Sequence, residues 1–252
     1  MPKITKIETI TNPEYAKLIW VVIYDESGEY GIGETSWGPE TVQTHILKEI
    51  APTIIGENPM NLEKLWVDIC KLGITVRPDG AEVRAISAID MALWDLVGKL
   101  TNQPLYQMLG GLFRDKIKIY NTCAGYSYGV NRPQAYRNIP GDIDYKPESQ
   151  YEDQHAFMTD AGKLAKSLLE EGVSAMKIWP FDQFAGKTNG QFISSDDIDR
   201  GLEPFHKIRD AVGRKMDIMV ELHSMWNLPS AKRIAKALEP IEPLWYEDPM
   251  PM

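Results

Sequence analysis

The ionisable residues with chemical potential stand where apolar runs end. Lys177 lies inside Ala175–Trp179, Glu221 and His223 follow Ile218-Met219-Val220, and Glu247 with Asp248 follows Leu244-Trp245-Tyr246. In a parallel β/α array the reacting groups gather at the carboxyl ends of strands. A hard divalent cation such as Mg²⁺ takes oxygen ligands, usually a few carboxylates with the rest from water and substrate, and Glu221 and Glu247 could supply two. A metal, an acid and a base in one pocket are what removal of a weakly acidic α-proton requires, the metal carrying enediolate charge while a side chain takes the proton. Each residue also has a plainer reading. A strand-end glutamate more often caps a helix or pairs at the surface, and a lone histidine such as His223 is commonly a hydrogen-bonded loop residue. Lys177 is the odd one, because lysine is seldom buried without a partner. His45, His155 and His206 fall in helical or loop contexts and are expected at the surface.

The elements that must position these residues come in two styles. Lys3–Ile10, Ala16–Tyr24 and Glu29–Glu34 read as strands of a meander, with Asp25-Glu26-Ser27-Gly28 as a turn. The period then becomes helical over Thr41–Ile50 and over Asn61–Leu72, where Leu62, Leu65, Trp66 and Ile69 share a face, Asn61 is a candidate cap and Gly73 a stop. The clearest helix is Glu82–Leu100, whose Ile86, Ile89, Leu93, Leu96, Val97 and Leu100 form one stripe. Gln103–Gly111 reads as a short helix ended by glycines. From Lys116 onward strands alternate with helices: Ile117–Thr122, a helix through Phe157, Ala161, Leu164 and Leu168 closing at Gly172, then Ala175–Trp179. A helix over Leu202–Val212 follows, with Pro204 in its first turn, then Ile218–Leu222, a helix over Ser230–Leu238, and Leu244–Glu247. That order predicts parallel strands with right-handed crossovers. The polar, tyrosine-rich segment Tyr126–Asp153 is too long for a routine connection, and reads equally as a loop shaping a pocket or as a contact with another subunit.

The 252 residues are 43% hydrophobic and 25% charged, enough apolar material for a sizeable core. A net charge of -9 argues against nucleic acid, since little here could release counterions from a phosphate backbone. An acid substrate would need a local positive field, such as a metal ion. Cys70 and Cys123 stand far apart and read as reduced core thiols. The opening residues lack the apolar core of a signal peptide, and the longest apolar run, Leu18–Ile23, is too short to cross a bilayer; a cytoplasmic protein without membrane partners is expected.

A resemblance joins these readings. Ala85-Ile86-Ser87-Ala88-Ile89-Asp90-Met91-Ala92-Leu93-Trp94-Asp95-Leu96-Val97-Gly98-Lys99, then Gln103-Pro104-Leu105-Tyr106 and Leu109-Gly110-Gly111, resembles the capping-domain signature of the mandelate racemase and muconate lactonising group of the enolase superfamily. Met176-Lys177-Ile178-Trp179, Val220-Glu221-Leu222-His223 and Trp245-Tyr246-Glu247-Asp248-Pro249 resemble that group's second, third and fourth barrel strands. The resemblance implies an α+β capping domain over residues 1–114, followed over 115–252 by the first four β/α units of a modified TIM barrel. It implies Mg²⁺ on Glu221 and Glu247, His223 as the general acid of a sugar-acid dehydratase, Lys177 and Trp179 at the substrate, and Lys177 also among the catalytic groups. A small-molecule carboxylate, an aldonate-type sugar acid, is then the expected partner, and a homo-oligomer the expected assembly. The enolase superfamily's use of a lysine or histidine base with one or two Mg²⁺ ions is a general precedent.

Two departures bear on activity. Trp179 stands where the racemases keep a second lysine, and Glu221 where aspartate is commoner. A racemase or epimerase of a 2-hydroxy acid remains the alternative. A whole barrel takes about 250 residues, so only about half is expected within this chain, with the third carboxylate ligand and a His-Asp base beyond Met252. Alone, such a half-barrel would be an inactive fragment with an open sheet edge; either a longer natural chain or a second chain would complete it.

Overall fold

Three antiparallel strands begin the chain, and apolar residues of the first two enter its core. The computed structural model describes residues 2–73, 80–125 and 152–251, and they fall into two compact units, Met1–Lys116 and Ile117–Met252. In the first, β1 (Ile4–Thr11), β2 (Leu18–Asp25) and β3 (Tyr30–Ser36) pair in that order. Ile4, Ile7, Ile19, Val21 and Ile23 are buried. The turn between β2 and β3 is tied by Asp25, whose Oδ1 accepts from Ser27 N, Ser27 Oγ and Glu29 N at 2.9, 2.6 and 3.0 Å. Helix α1 (Pro39–His45) runs through a π-helical turn (Ile46–Ile50) into α2 (Ala51–Ile54), extending the expected helix at both ends.

Helix α3 (Leu62–Cys70) buries Leu65 and Ile69 but leaves Trp66 39% exposed, so the expected four-residue face is narrower than its period implied. Asn61 occupies the cap position without a side-chain bond to the helix. Helix α4 (Ala81–Thr101) buries Ile86, Ile89, Leu93, Leu96 and Val97 as its stripe predicts. It lies directly on β3, where Gly31 and Gly33 carry no side chain to hold it off. Its Asp95 accepts from Ile32 N at 2.8 Å and its Lys99 donates to Tyr30 O at 2.7 Å, covering backbone groups of an edge strand. Helix α5 (Leu105–Met108) is followed by Gly110 and Gly111, both at positive φ.

The second unit is a parallel β/α array. Helix α6 (Asp153–Glu170), β4 (Ala175–Ile178), a single turn α7 (Asp182–Ala185), α8 (Ser195–Val212), β5 (Asp217–Glu221), α9 (Leu228–Leu238) and β6 (Tyr246–Glu247) follow in order, with the strands in the order β4-β5-β6. Both pairings are parallel. Phe157, Ala161, Leu164 and Leu168 of α6 are buried against Ile178, Phe205, Ile208, Ile218 and Val220 in one core.

Two expectations fail here. Ile117–Thr122 forms no strand among the described residues. Only Asn121 bridges to Met176, donating to Ala175 O at 2.9 Å and accepting from Lys177 N at 2.8 Å. Ile117 and Ile119 are 74% and 63% exposed, so no burial rewards further pairing. Pro204 sits in the interior of α8, not its first turn. The true start is Ser194, whose Oγ accepts from Asp197 N at 3.0 Å. The two added turns bury Ile198 and Gly201 beside Pro204 itself, which offsets the backbone bond that proline cannot make. The expected loop Tyr126–Asp153 lies outside the described residues through position 151. His206 is exposed as expected, but His45 and His155 are half-buried.

Both thiols are free. Burial pushes the Cys123 thiol far above its usual range, and burial raises Cys70 as well, though Cys70 is only half-covered. A thiol-reactive dye at pH 8 should therefore label Cys70 slowly and Cys123 only after denaturation. Labelling of Cys123 in the native chain, located by peptide mass, would contradict this burial.

Candidate active site

Register places the charged residues before any chemistry is invoked. In the parallel pairing Lys177 lies opposite Met219, and Glu221 opposite Glu247. Glu221 is two residues beyond Met219, so Lys177, Glu221 and Glu247 all share one face of the sheet. The lysine stem then reaches past the strand ends. Lys177 Nζ lies 3.1 Å from Glu221 Oε2 and 2.5 Å from Glu247 Oε1. Lys177 and Glu221 are almost wholly covered, whereas the Glu247 side chain is 35% exposed.

Every other acceptor of this pair is also engaged. Glu221 Oε1 accepts from the backbone N–H of His223 at 2.8 Å, and Glu247 Oε2 from Trp245 Nε1 at 3.2 Å. Burial works to lower Lys177, but its bonds to Glu247 and Glu221 outweigh that and hold it above the ordinary lysine value. Burial likewise works to raise Glu247; hydrogen bonds from Lys177 and Trp245, with the lysine's charge, outweigh it and hold the carboxyl below its usual range.

His223 reaches the site by another route than alternation. Its φ is +46° and that of Ser224 +55°, so the chain leaves the extended conformation directly after β5. Strand alternation therefore does not carry from Glu221 to His223. What holds the turn is a set of bonds: His223 N to Glu221, Ser224 N to Asp248 O at 2.8 Å, and Met225 N to Leu222 O at 3.0 Å. The imidazole lies with Nδ1 2.5 Å from Asp182 Oδ2. Burial works to lower His223, but the hydrogen bond and charge of Asp182, together with Glu221, raise it; burial pushes Asp182 up to about 6 against the pull of His223. Trp179 is 4% exposed, its ring centroid 5.5 Å from that of His223 and 5.2 Å from that of Phe157, both edge-on. It meets the site through the His223 ring.

Asp182 escapes sequence reading. Its one signal is an acid set in Trp179-Pro180-Phe181-Asp182-Gln183-Phe184, where an aspartate among aromatics needs a buried partner.

Glu221 and Glu247 are hard oxygen donors that converge on one cationic atom. That donor chemistry fits a divalent ion such as Mg²⁺. Among the described residues no group of three His, Cys, Asp or Glu side chains is arranged to hold a metal. No helix of the described residues is long and apolar enough to cross a membrane.

Comparison with known proteins fits this geometry. Residues 3–110 match the N-terminal domain of the mandelate racemase / muconate lactonizing enzyme family, and residues 160–252 the enolase C-terminal domain-like family. The chain belongs to the enolase superfamily. Within it, one similar solved structure is an enolase of the mandelate racemase subgroup from Agrobacterium tumefaciens, 46% identical with a TM-score of 0.80, covering 98% of this chain and 57% of that one. Another, an enolase protein from Sargasso Sea environmental sequence, is 41% identical with a TM-score of 0.83, covering 99% of this chain and 59% of that one. Among curated relatives, a D-xylonate dehydratase of Haloferax volcanii is 28% identical over 99% of this chain and 54% of its own length. A D-gluconate dehydratase of Thermoproteus tenax is 29% identical over 94% of this chain and 41% of its own. The chain thus spans about half the length of the curated relatives it matches.

Proposed function

We propose that this superfamily member serves as a Mg²⁺-dependent dehydratase of an aldonate-type sugar acid. The observation that carries the reading is His223, anchored by Asp182 and bonded through its backbone to Glu221, next to two carboxylates that converge on one cation. The relatives named D-xylonate and D-gluconate dehydratase support the substrate class. Glu221 and Glu247 would hold Mg²⁺ as two of its ligands within a TIM-type barrel. When bound, the ion would supply positive charge to the enediolate formed as a general base, the part the family resemblance gives to a His-Asp pair, takes the α-proton.

The chain's own residues then divide the work. Lys177 binds the substrate carboxylate, its charge already directed to the point where the two glutamates meet. As the enediolate electrons form the carbon–carbon double bond, the β carbon–oxygen bond breaks. His223 gives its proton to the departing hydroxyl, which leaves as water. The enol product tautomerises to a 2-keto-3-deoxy acid. Trp179 packs edge-on with the His223 ring and helps to hold it in place.

In the full-length protein, His223→Asn should lower dehydration by about a hundredfold or more, the usual contribution of a positioned acid. Exchange of the α-proton with deuterated water should remain measurable. If exchange and dehydration fell together, the acid role would be wrong and His223 would be a positioning group. Deuterium uptake without any dehydration by the unaltered protein would point to a racemase or epimerase instead.

A further inference from the structure

Asp182 has no part in the structural framework that would account for it. Its side chain is 1% exposed, with one oxygen given to His223 Nδ1 at 2.5 Å. The other, Oδ1, is buried with no hydrogen-bond partner among the described residues. Leaving a buried acceptor unsatisfied is costly, and a native chain rarely keeps one without a use for it. The aspartate is nevertheless held firmly. Phe181 before it is fully buried and stacks on Phe205 at 6.0 Å between ring centroids. The Phe181 ring also fills the space that a side chain at Gly201 would occupy, a Cβ there falling 2.3 Å from Cε1. Phe184, two residues on, is buried too. Two aromatic anchors thus fix an unusual carboxylate at the start of α7, and its only hydrogen-bonded side chain among the described residues is His223.

We propose that Asp182 is the positioning residue of His223: by holding Nδ1 it fixes the ring's tautomer and orientation, and assigns proton exchange with the substrate to Nε2. The inference rests on the reading of His223 as the general acid and adds the group that makes one ring nitrogen, and not the other, the working one. A histidine whose ring nitrogens differ in this way is set by the bond its second nitrogen makes. Asp182 touches no reacting atom, so its effect must pass through the imidazole.

Two measurements on the full-length protein test this. Asp182→Asn keeps the shape but removes the charge, and lets the amide present either an acceptor or a donor to Nδ1. The dehydration kcat should fall about tenfold or more, with KM and α-proton exchange changed less than twofold, a weaker copy of His223→Asn. Separately, ring-¹⁵N spectra of the unaltered protein should show the His223 signal, assigned by its loss in His223→Asn, with Nδ1 carrying a hydrogen-bonded proton. That signature should be lost or moved in Asp182→Asn. An Asp182→Asn protein with unchanged kcat, a parallel fall in kcat and α-proton exchange, or a proton found on Nε2 alone would each overturn the assignment. If His223→Asn itself leaves dehydration intact, it is the function reading that fails, while the spectra still decide whether Asp182 fixes the ring.

Discussion

A Gly33→Val chain should lose the folded first unit under conditions where the unaltered chain keeps it. A Cβ at Gly33 would fall 1.9 Å from the carbonyl oxygen of Ala88, and one at Gly31 2.0 Å from that of Ala92. Both oxygens belong to the backbone of α4, so no side chain can turn aside. The helix itself would have to lift from β3. Lifting it would break the bonds from Ile32 N to Asp95 and from Lys99 to Tyr30 O, and would open the packing around Ile86, Ile89 and Leu93. Overpacking ordinarily costs about 1–3 kcal/mol. With backbone as the obstacle the cost should reach about 4 kcal/mol or more, a large part of a typical domain's stability. Gly28→Ala is the matched control: φ is +86° but nothing lies within 4 Å, so only backbone strain of about 1–2 kcal/mol is expected. Hydrogen exchange resolved by peptide should show β1–β3 and α4 opened in Gly33→Val and nearly unchanged in Gly28→Ala. Equal protection in the two variants would mean that α4 does not rest on the strand as described.

How much of this was legible follows from what each signal measures. Period-two and period-3.6 patterns report burial, so the strands of the first unit and the stripe on α4 could be read directly. The Gly31–Gly33 alternation was also on the page, yet its meaning depends on which element approaches that face, and one sequence does not say. Trp66 shows the opposite limit: it shares the period of Leu65 and Ile69, but a helix covered on a narrow side leaves such a residue outside. Pro204 misled because proline is a boundary signal only on average. Here the buried face of α8 outweighs one missing bond, while the Ser194–Asp197 cap marks the real start. The site divides in the same way. Lys177, Glu221 and Glu247 were legible because each stands at the carboxyl end of an apolar run, whereas the register that puts them on one face is a feature of the folded sheet. The placement of His223 was not, since it depends on two successive left-handed residues, and Asp182 was not because its partner is 41 positions away.

Removing the charge of Lys177 should weaken the second unit at neutral pH and make it gain more stability from mild acid than the unaltered chain does. Lys177→Met keeps the length of the stem but leaves Glu221 and Glu247 facing each other across the point the ammonium held. Breaking a buried ion pair by deleting one partner costs about 3–5 kcal/mol, and the partial exposure of Glu247 places the expected loss near the lower end, about 3 kcal/mol at pH 7. In the unaltered chain Glu247 is held below its ordinary value of 4.5, so its ion pair contributes fully above that pH and is lost as pH falls through the lower folded value. In the variant the two carboxylates repel. The folded pair then holds a proton more tightly than the unfolded chain does, and its stability is greatest at low pH and falls as pH rises through the raised folded value. Between pH 7 and about 5, therefore, acidification should stabilise the variant more than the unaltered chain, in which the raised His223 and Asp182 alone favour the folded form as protons are taken up. Millimolar Mg²⁺ should also raise the variant's urea midpoint more than the parent's. A cation that binds only the folded form stabilises it by mass action, and in the variant no ammonium competes for the oxygens. Urea unfolding followed by exchange in β4–β6 at several pH values, with and without MgCl₂, would measure both effects. A variant as stable as its parent at pH 7, or one that weakens on mild acidification, would show that the two carboxylates do not converge as the strand register places them.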